Sequence, residues 1–161
     1  MLTDALPSKI HIGAACITLV LAALVLLMPK GTRFHKRTGY VFSMALLALN
    51  ISAAFLFNLT GRFNFLHVFV WISLGSLMYG IVPAIRRKPA HWLRMHISGM
   101  TGAALGVWAA GFAELTIRLL PWFLTASQII VAAIGTGVLF FFIIGFLVRR
   151  FQKSIAQHYK R

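Results

Sequence analysis

The stretch IHIGAACITLVLAALVLLM, residues 10 to 28, is followed directly by PKGTRFHKR, residues 29 to 37. The first part carries no lysine, arginine, aspartate or glutamate, and a helix needs about 20 mostly apolar residues to cross a bilayer. The second part ends that run with Pro29 and then a cluster of basic side chains. Together they predict a membrane-crossing helix that leads into a basic loop.

The composition of the whole chain agrees with a membrane protein. Of 161 residues, 60 per cent are hydrophobic and only 11 per cent are charged, whereas about a quarter of the residues in soluble domains are charged. So few charges cannot cover the surface of a water-soluble domain of this size. Cys16 is the only cysteine, which excludes an intrachain disulfide. We expect one membrane domain over residues 1–161.

Four further apolar runs follow the first helix, predicted at 10–28. They predict helices at 40–59, 65–85, 89–118 and 121–148, with a basic tail at 149–161. Ser8 is the expected N-cap of the first helix, and Pro89 suits the first position of the fourth. Because the links are short, consecutive helices should be antiparallel neighbours. The predicted fold is all-α, an up-and-down bundle of five transmembrane helices.

The lysines and arginines give the bundle an orientation. Most of the 16 lie in the link after the first helix, around the start of the fourth helix and in the tail, which all fall on one side. The positive-inside rule then places the N-terminus outside and the C-terminus in the cytoplasm, in a bacterial inner membrane. Contact of these loops with anionic lipid heads accounts for the net charge of +14 without nucleic acid.

Histidines recur near the starts of the first four helices. His11 and His67 open the first and third helices at the outer face, whereas His35 and His96 lie near the starts of the second and fourth at the inner face. Diagonal helices of a bundle face each other, so each pair suits a six-coordinate b-type haem. We expect transmembrane electron transfer, with a quinol or another redox partner such as a redox protein. His91 is the alternative inner ligand to His96.

Glu114 is the only glutamate and lies in an apolar run near the outer end of the fourth helix. A carboxylate at membrane depth needs a partner. With His11 and His67 it completes a three-ligand set that suits zinc, iron or manganese. Alternatively it pairs with Arg118 one turn on, and the chain is then a cofactor-free structural or accessory subunit. The sequence leaves homo-oligomerisation open.

Small and polar residues inside the apolar runs predict contacts between helices. Asn50 and Gln128 are expected to form interhelical hydrogen bonds. Small residues allow close packing of membrane helices, although the same residues can instead leave room for a haem. Those on the fourth helix recur at steps of three and four: Gly99, Gly102, Gly106 and Ala110.

Three motifs resemble a family of bacterial predicted membrane proteins, domain-of-unknown-function family 2306. They are IHIGAA at 10–15, FHKRTGYVF at 34–42 and HWLRMHISGM at 91–100. The family pattern has a histidine opening the first helix, His-Arg-x-x-Gly before the second, and a histidine followed by methionine in the fourth. The matching residues are His11, His35 with Gly39, and either His91 with Met95 or His96 with Met100. Lys36 replaces the arginine. The resemblance implies fold and membrane location for about residues 10–118, and no activity.

The alternating diagonal pairs are also similar to the layout of two-haem cytochrome b-561 type reductases, which implies electron transfer across the membrane. The sequence lacks the motifs of other common enzyme classes. The sequence has no glycine-rich phosphate loop, no His-Glu-x-x-His and no Gly-x-Ser-x-Gly. With two acids in the whole chain, paired-carboxylate catalysis is close to excluded.

Overall fold

The computed structural model describes residues 6–55, 65–88, 90–119 and 125–158. Within these ranges the chain forms helices and no strand, which confirms the predicted all-α class. The five described helices are α1 (Leu6–Leu27), α2 (Arg33–Ala54), α3 (Phe65–Arg86), α4 (Trp92–Leu119) and α5 (Ala126–His158).

The first four helices form a ring, and α5 packs along the outside of α4. In this ring α1 packs on α2 and α4, and α3 packs on the same two helices, so that α1 is diagonal to α3 and α2 to α4. Neighbouring helices run in opposite directions. His11, near the start of α1, hydrogen-bonds Ser52, near the end of α2. Gly80, near the end of α3, meets Gly99, near the start of α4.

The centre of the ring combines large side chains from α2 and α3 with small residues of α4. Phe42, Leu46 and Leu77 are almost completely buried, and they pack with Ala103 and Ala104. Small residues on α4 therefore let the large side chains reach the bundle axis and fill it.

Three of the described helices contain a segment long and apolar enough to cross a membrane: Ser8–Leu27, Val68–Arg86 and Ile134–Ser154. Their outward faces carry large exposed apolar side chains, including Leu24 on α1, Trp71 on α3 and Phe141 on α5. Extended apolar surface of this kind marks contact with lipid or another protein. The three helices indicate a membrane protein.

Some predicted helix ends were wrong. α1 begins at Leu6, so Ser8 is a buried residue of its first turn and is not its N-cap. α2 begins at Arg33, earlier than predicted, and α5 continues through much of the basic tail to His158. Hydropathy marks the apolar part of a helix, whereas lysine and arginine are good helix formers that extend it. Pro89 lies outside the described residues, and α4 begins at Trp92.

Candidate functional site

The bundle has one strongly basic end, formed by the α1–α2 link, the α3–α4 link and the last turns of α5. Every lysine and arginine described there is exposed. We call this end the basic end and the opposite one the far end. The exposed basic residues are Lys30, Arg33, Lys36, Arg37, Arg86, Arg87, Lys88, Arg94, Arg149, Arg150 and Lys153.

The turn before α2 places His35 at the basic end. Gly31 has a φ of 80°, a left-handed conformation that glycine adopts without steric cost. Thr32 then caps the helix, because its Oγ1 accepts a hydrogen bond from the backbone N–H of His35 at 3.0 Å. His35 is therefore the third residue of α2, whereas the sequence pattern placed it before the helix.

His96 lies in the second turn of α4 and is fixed by α3. Its Nδ1 is 3.0 Å from the carbonyl oxygen of Gly80. A carbonyl only accepts, so Nδ1 carries the proton and Nε2 carries the lone pair. The two helices approach closely enough because both contacting residues are glycines. A Cβ on Gly99 would overlap the backbone nitrogen of Gly80.

His35 and His96 face each other across the bundle, as predicted for this diagonal. Their ring centroids are 6.4 Å apart and the ring planes are nearly perpendicular, at 86°. His35 Nδ1 is buried without a hydrogen-bond partner. His91, the alternative inner ligand, is exposed in the turn before α4. The structure therefore brings His96, and not His91, to His35.

The spacing of the two rings suits one shared metal ion. Imidazoles that bind a metal ion from opposite sides have centroids roughly 6 Å apart, since each metal–nitrogen distance is about 2.0–2.1 Å. Gly39, one turn further along α2, is half-buried, and a Cβ there would meet no atom within 4 Å.

The surroundings of His35 favour its neutral ring. Burial lowers the pKa of His35, the positive charge of Lys30 lowers it further, and His96 adds to the lowering. His35 lies ahead of the apolar part of α2, at the basic end. A metal-binding imidazole must be unprotonated, so the charges around His35 favour the state that can bind.

At the far end, a hydrogen bond to Ser52 fixes His11 in the same tautomer as His96. His11 Nδ1 is 3.1 Å from Ser52 Oγ, and that hydroxyl already donates to the carbonyl oxygen of Leu49 at 2.8 Å. Because a hydroxyl has one hydrogen, His11 must donate from Nδ1, and the lone pair is on Nε2. His67 lies in the first turn of α3, diagonal to α1, and its side chain lies outside the described part.

Glu114 is half-buried near the far end of α4, which packs against α1. Among the side chains that the structure describes, no three His, Cys, Asp or Glu residues come together to hold a metal ion. The predicted set of His11, His67 and Glu114 includes one side chain outside that part, so it stays a prediction. The predicted ion pair of Glu114 with Arg118 also stays a prediction, because the Arg118 side chain lies outside the described part.

Some of the small residues of α4 pack tightly against α3, whereas others adjoin open space. Gly99 is fully engaged against α3, and a Cβ on Gly102 would come within 2.8 Å of a side-chain oxygen on that helix. A Cβ on Gly106 would meet nothing within 4 Å. Asn50 does bond between helices, donating to Ser73 Oγ at 3.0 Å. Gln128 caps its own helix, because its Oε1 accepts hydrogen bonds from the backbone N–H and the hydroxyl of Thr125 at the start of α5.

Lys30 is the residue that the sequence pattern did not single out. It looks like one more basic residue of the link, yet its ammonium donates to the backbone of α1 and lies over a ring of α5. Only the folded chain could reveal the second contact, because Phe151 lies on a helix far from Lys30 in sequence.

No protein-family model, no curated protein and no solved structure matches this chain. The function is therefore argued from the site itself. Its main feature is a pair of imidazoles that face each other from diagonal helices at the basic end.

Proposed function

We propose that the chain is a five-span membrane protein that binds b-type haem and transfers electrons across the bilayer. The observation that supports this best is the His35–His96 pair, with ring centroids 6.4 Å apart. Two imidazoles on opposite sides of one iron are the axial ligands of a six-coordinate haem. The rings already have the separation that such ligation requires.

Haem fits this pair better than a bare metal ion. A zinc or similar ion normally takes at least three protein ligands, and no third His, Cys, Asp or Glu joins His35 and His96 among the described side chains. Haem needs only two protein ligands, since the porphyrin supplies the other four. Held by His35 and His96, a haem would supply one-electron transfer.

The chain's own residues orient the two ligands. The hydrogen bond from His96 to Gly80 fixes the ring, directs Nε2 away from α3 and makes that nitrogen a better ligand. The cap at Thr32 fixes the first turn of α2 and with it the position of His35. Gly39, one turn beyond His35, adds no side chain that would crowd a macrocycle on that part of α2.

A second haem at the far end would complete a path across the membrane. His11 and His67 belong to the other diagonal pair of helices, and His11 has its lone pair on Nε2. Electrons from quinol or a cytoplasmic redox protein would enter at one site and leave at the other.

The proposed membrane position follows from the distribution of basic residues and from the apolar character of each helix. The basic end is cytoplasmic by the positive-inside rule, which leaves the N-terminus in the periplasm of a bacterial inner membrane. α2 and α4 are less apolar than the other three helices, because they supply polar and small residues to the bundle interior. α4 has 28 residues, enough to cross a bilayer. α2 has 22 residues, and we place its basic first turn at the membrane surface and the rest of the helix in the bilayer.

An absorption spectrum tests the proposal. The chain would be produced in cells supplied with a haem precursor, purified in mild detergent and reduced with dithionite. We expect a Soret band and a sharp α-band, both diminished in a His35→Ala/His96→Ala double variant. A folded, colourless protein overturns the proposal. Elemental analysis of that protein then separates a non-haem zinc or iron site from a cofactor-free subunit.

A further inference from the structure

Helix α2 has an exposed face that is basic at one end and apolar along the rest. A series of exposed residues recurs there at steps of three and four, which places them on one side of the helix. From the basic end onward they are Arg33, Arg37, Tyr40, Met44, Ala48 and Ile51. The buried residues Phe42 and Leu46 lie on the other side, where α2 packs on α1 and α3. We call the exposed series the outer strip of α2.

The outer strip has the polarity and the length of a phospholipid. Arg33 and Arg37 are one turn apart on the same side of the helix, so both guanidinium groups can reach one phosphate. Tyr40 comes next, 53% exposed, and tyrosine favours the boundary between headgroups and hydrocarbon. Met44 is 67% exposed and lies about 10 Å beyond Arg37 along the axis. That distance falls within one hydrocarbon leaflet of about 15 Å.

The positive charge of the outer strip has no acid beside it in the described part of the chain. The sequence contains two acids, Asp4 and Glu114. Glu114 lies near the far end, and Asp4 lies outside the described residues. No carboxylate therefore lies at the basic end among the residues that the structure describes, and an anionic ligand from outside the chain complements the two arginines.

A second copy of the chain fits the outer strip less well than a lipid does. Copies inserted in one membrane have the same orientation, so a symmetric contact between two α2 helices would bring Arg33 and Arg37 of both copies side by side. Like charges placed together at an interface repel each other. An anionic lipid brings the opposite charge to the arginines and an apolar chain to the rest of the strip.

We infer that the outer strip of α2 binds an anionic phospholipid, with its phosphate between Arg33 and Arg37 and an acyl chain along Tyr40 and Met44. This inference rests on the membrane position proposed for α2 and is independent of haem. A bound headgroup would hold the first turn of α2 at the membrane surface, and that turn carries His35.

The test is native mass spectrometry of the protein purified in mild detergent. The protein is titrated with palmitoyl-oleoyl phosphatidylglycerol, which is anionic, or with phosphatidylcholine of the same chains. We expect the original protein to bind the anionic lipid more tightly. Arg33→Gln/Arg37→Gln should weaken that binding by about 10- to 30-fold, because both contacts to the phosphate are lost. Arg87→Gln/Lys88→Gln is the matched control: it removes the same charge from the exposed α3–α4 link and should bind like the original.

Three results would overturn the lipid site. They are equal affinity of the original protein for the two lipids, an equal loss in both double variants, and displacement of the lipid by excess inorganic phosphate. A dimer of the original protein that excludes the lipid would instead assign the outer strip to a second copy. If the Arg33→Gln/Arg37→Gln protein cannot be purified, the comparison of the two lipids on the original protein decides.

The same samples separate this inference from the proposed function. A protein without haem that still prefers the anionic lipid removes the proposed electron transfer and leaves the lipid site in place. A haem-loaded protein without that preference does the reverse.

Discussion

His96 donates a hydrogen bond from Nδ1 to the carbonyl oxygen of Gly80, 3.0 Å away on the neighbouring helix α3. The bond is part of a closely packed strip, in which Ser76 Oγ also donates to the carbonyl oxygen of Gly99 at 2.9 Å. The orientation of one proposed haem ligand therefore depends on two glycines that let α3 and α4 touch.

Gly99→Ala should destabilise the bundle by about 1–3 kcal/mol, because the new Cβ would overlap the backbone of Gly80. Thermal unfolding in detergent measures the effect. Gly106→Ala is the control, since a Cβ there meets no atom within 4 Å. The control should be neutral or stabilise the helix by up to about 1 kcal/mol. Equal melting temperatures for the two variants would contradict the close contact.

His96→Ala and His35→Ala should each lose the haem at the basic end and keep the one at the far end. Haem per polypeptide, from the pyridine haemochrome spectrum, should fall from two to one. His91→Ala should retain both, because His91 is exposed and does not face His35. Full haem content in His96→Ala, or a loss in His91→Ala, would show that the ligand is assigned wrongly.

Gly39→Leu should exclude the proposed haem at the basic end without unfolding the helices. A leucine there would meet no atom within 4 Å at its Cβ, and it would add a large side chain one turn beyond His35. The measurement pairs haem content with the helical circular dichroism signal. Gly137→Leu on the exposed surface of α5 is the matched control and should keep its haem. A Gly39→Leu protein with a complete haem complement would mean that the macrocycle lies elsewhere.

Ser52→Ala should weaken the far-end site selectively. It removes the oxygen that accepts the hydrogen bond from His11, at a cost of about 0.5–1.5 kcal/mol in stability. We expect lower occupancy of the far-end haem in a redox titration, with the other component unchanged. Ser43→Ala is the control, because its hydroxyl bonds back to the carbonyl oxygen of Gly39 on its own helix. An identical response of both variants would argue against a role for the His11–Ser52 bond.

The cofactor-free protein should lose stability as the pH falls through the ordinary titration range of histidine. Burial, Lys30 and His96 hold the pKa of His35 below its ordinary value. The unfolded chain therefore takes up this proton at a higher pH than the folded chain, and acid favours unfolding. Melting temperatures from about pH 8 to about pH 5 measure this. His35→Gln should show a shallower dependence, and an unchanged slope would exclude His35 as the cause.

Much of the fold could be predicted because it depends on local composition. Long apolar runs broken by Pro29 and basic links predicted five helices, and the described chain has five. The diagonal placement of His35 and His96 followed from helix order and short links alone. The helix ends were less accurate. Hydropathy records where a chain avoids water, whereas α2 and α5 continue through basic residues that favour both helix and water.

The sequence by itself determined the helices, the apolar exterior and the collection of positive charge at one end. Only the tertiary structure decided that His96 rather than His91 meets His35, and that Lys30 lies between α1 and α5. Those choices depend on how far each helix is rotated and shifted along its neighbour. Backbone contact at Gly80 and Gly99 sets that register, and a pattern of small residues shows that helices can approach without showing where they stop.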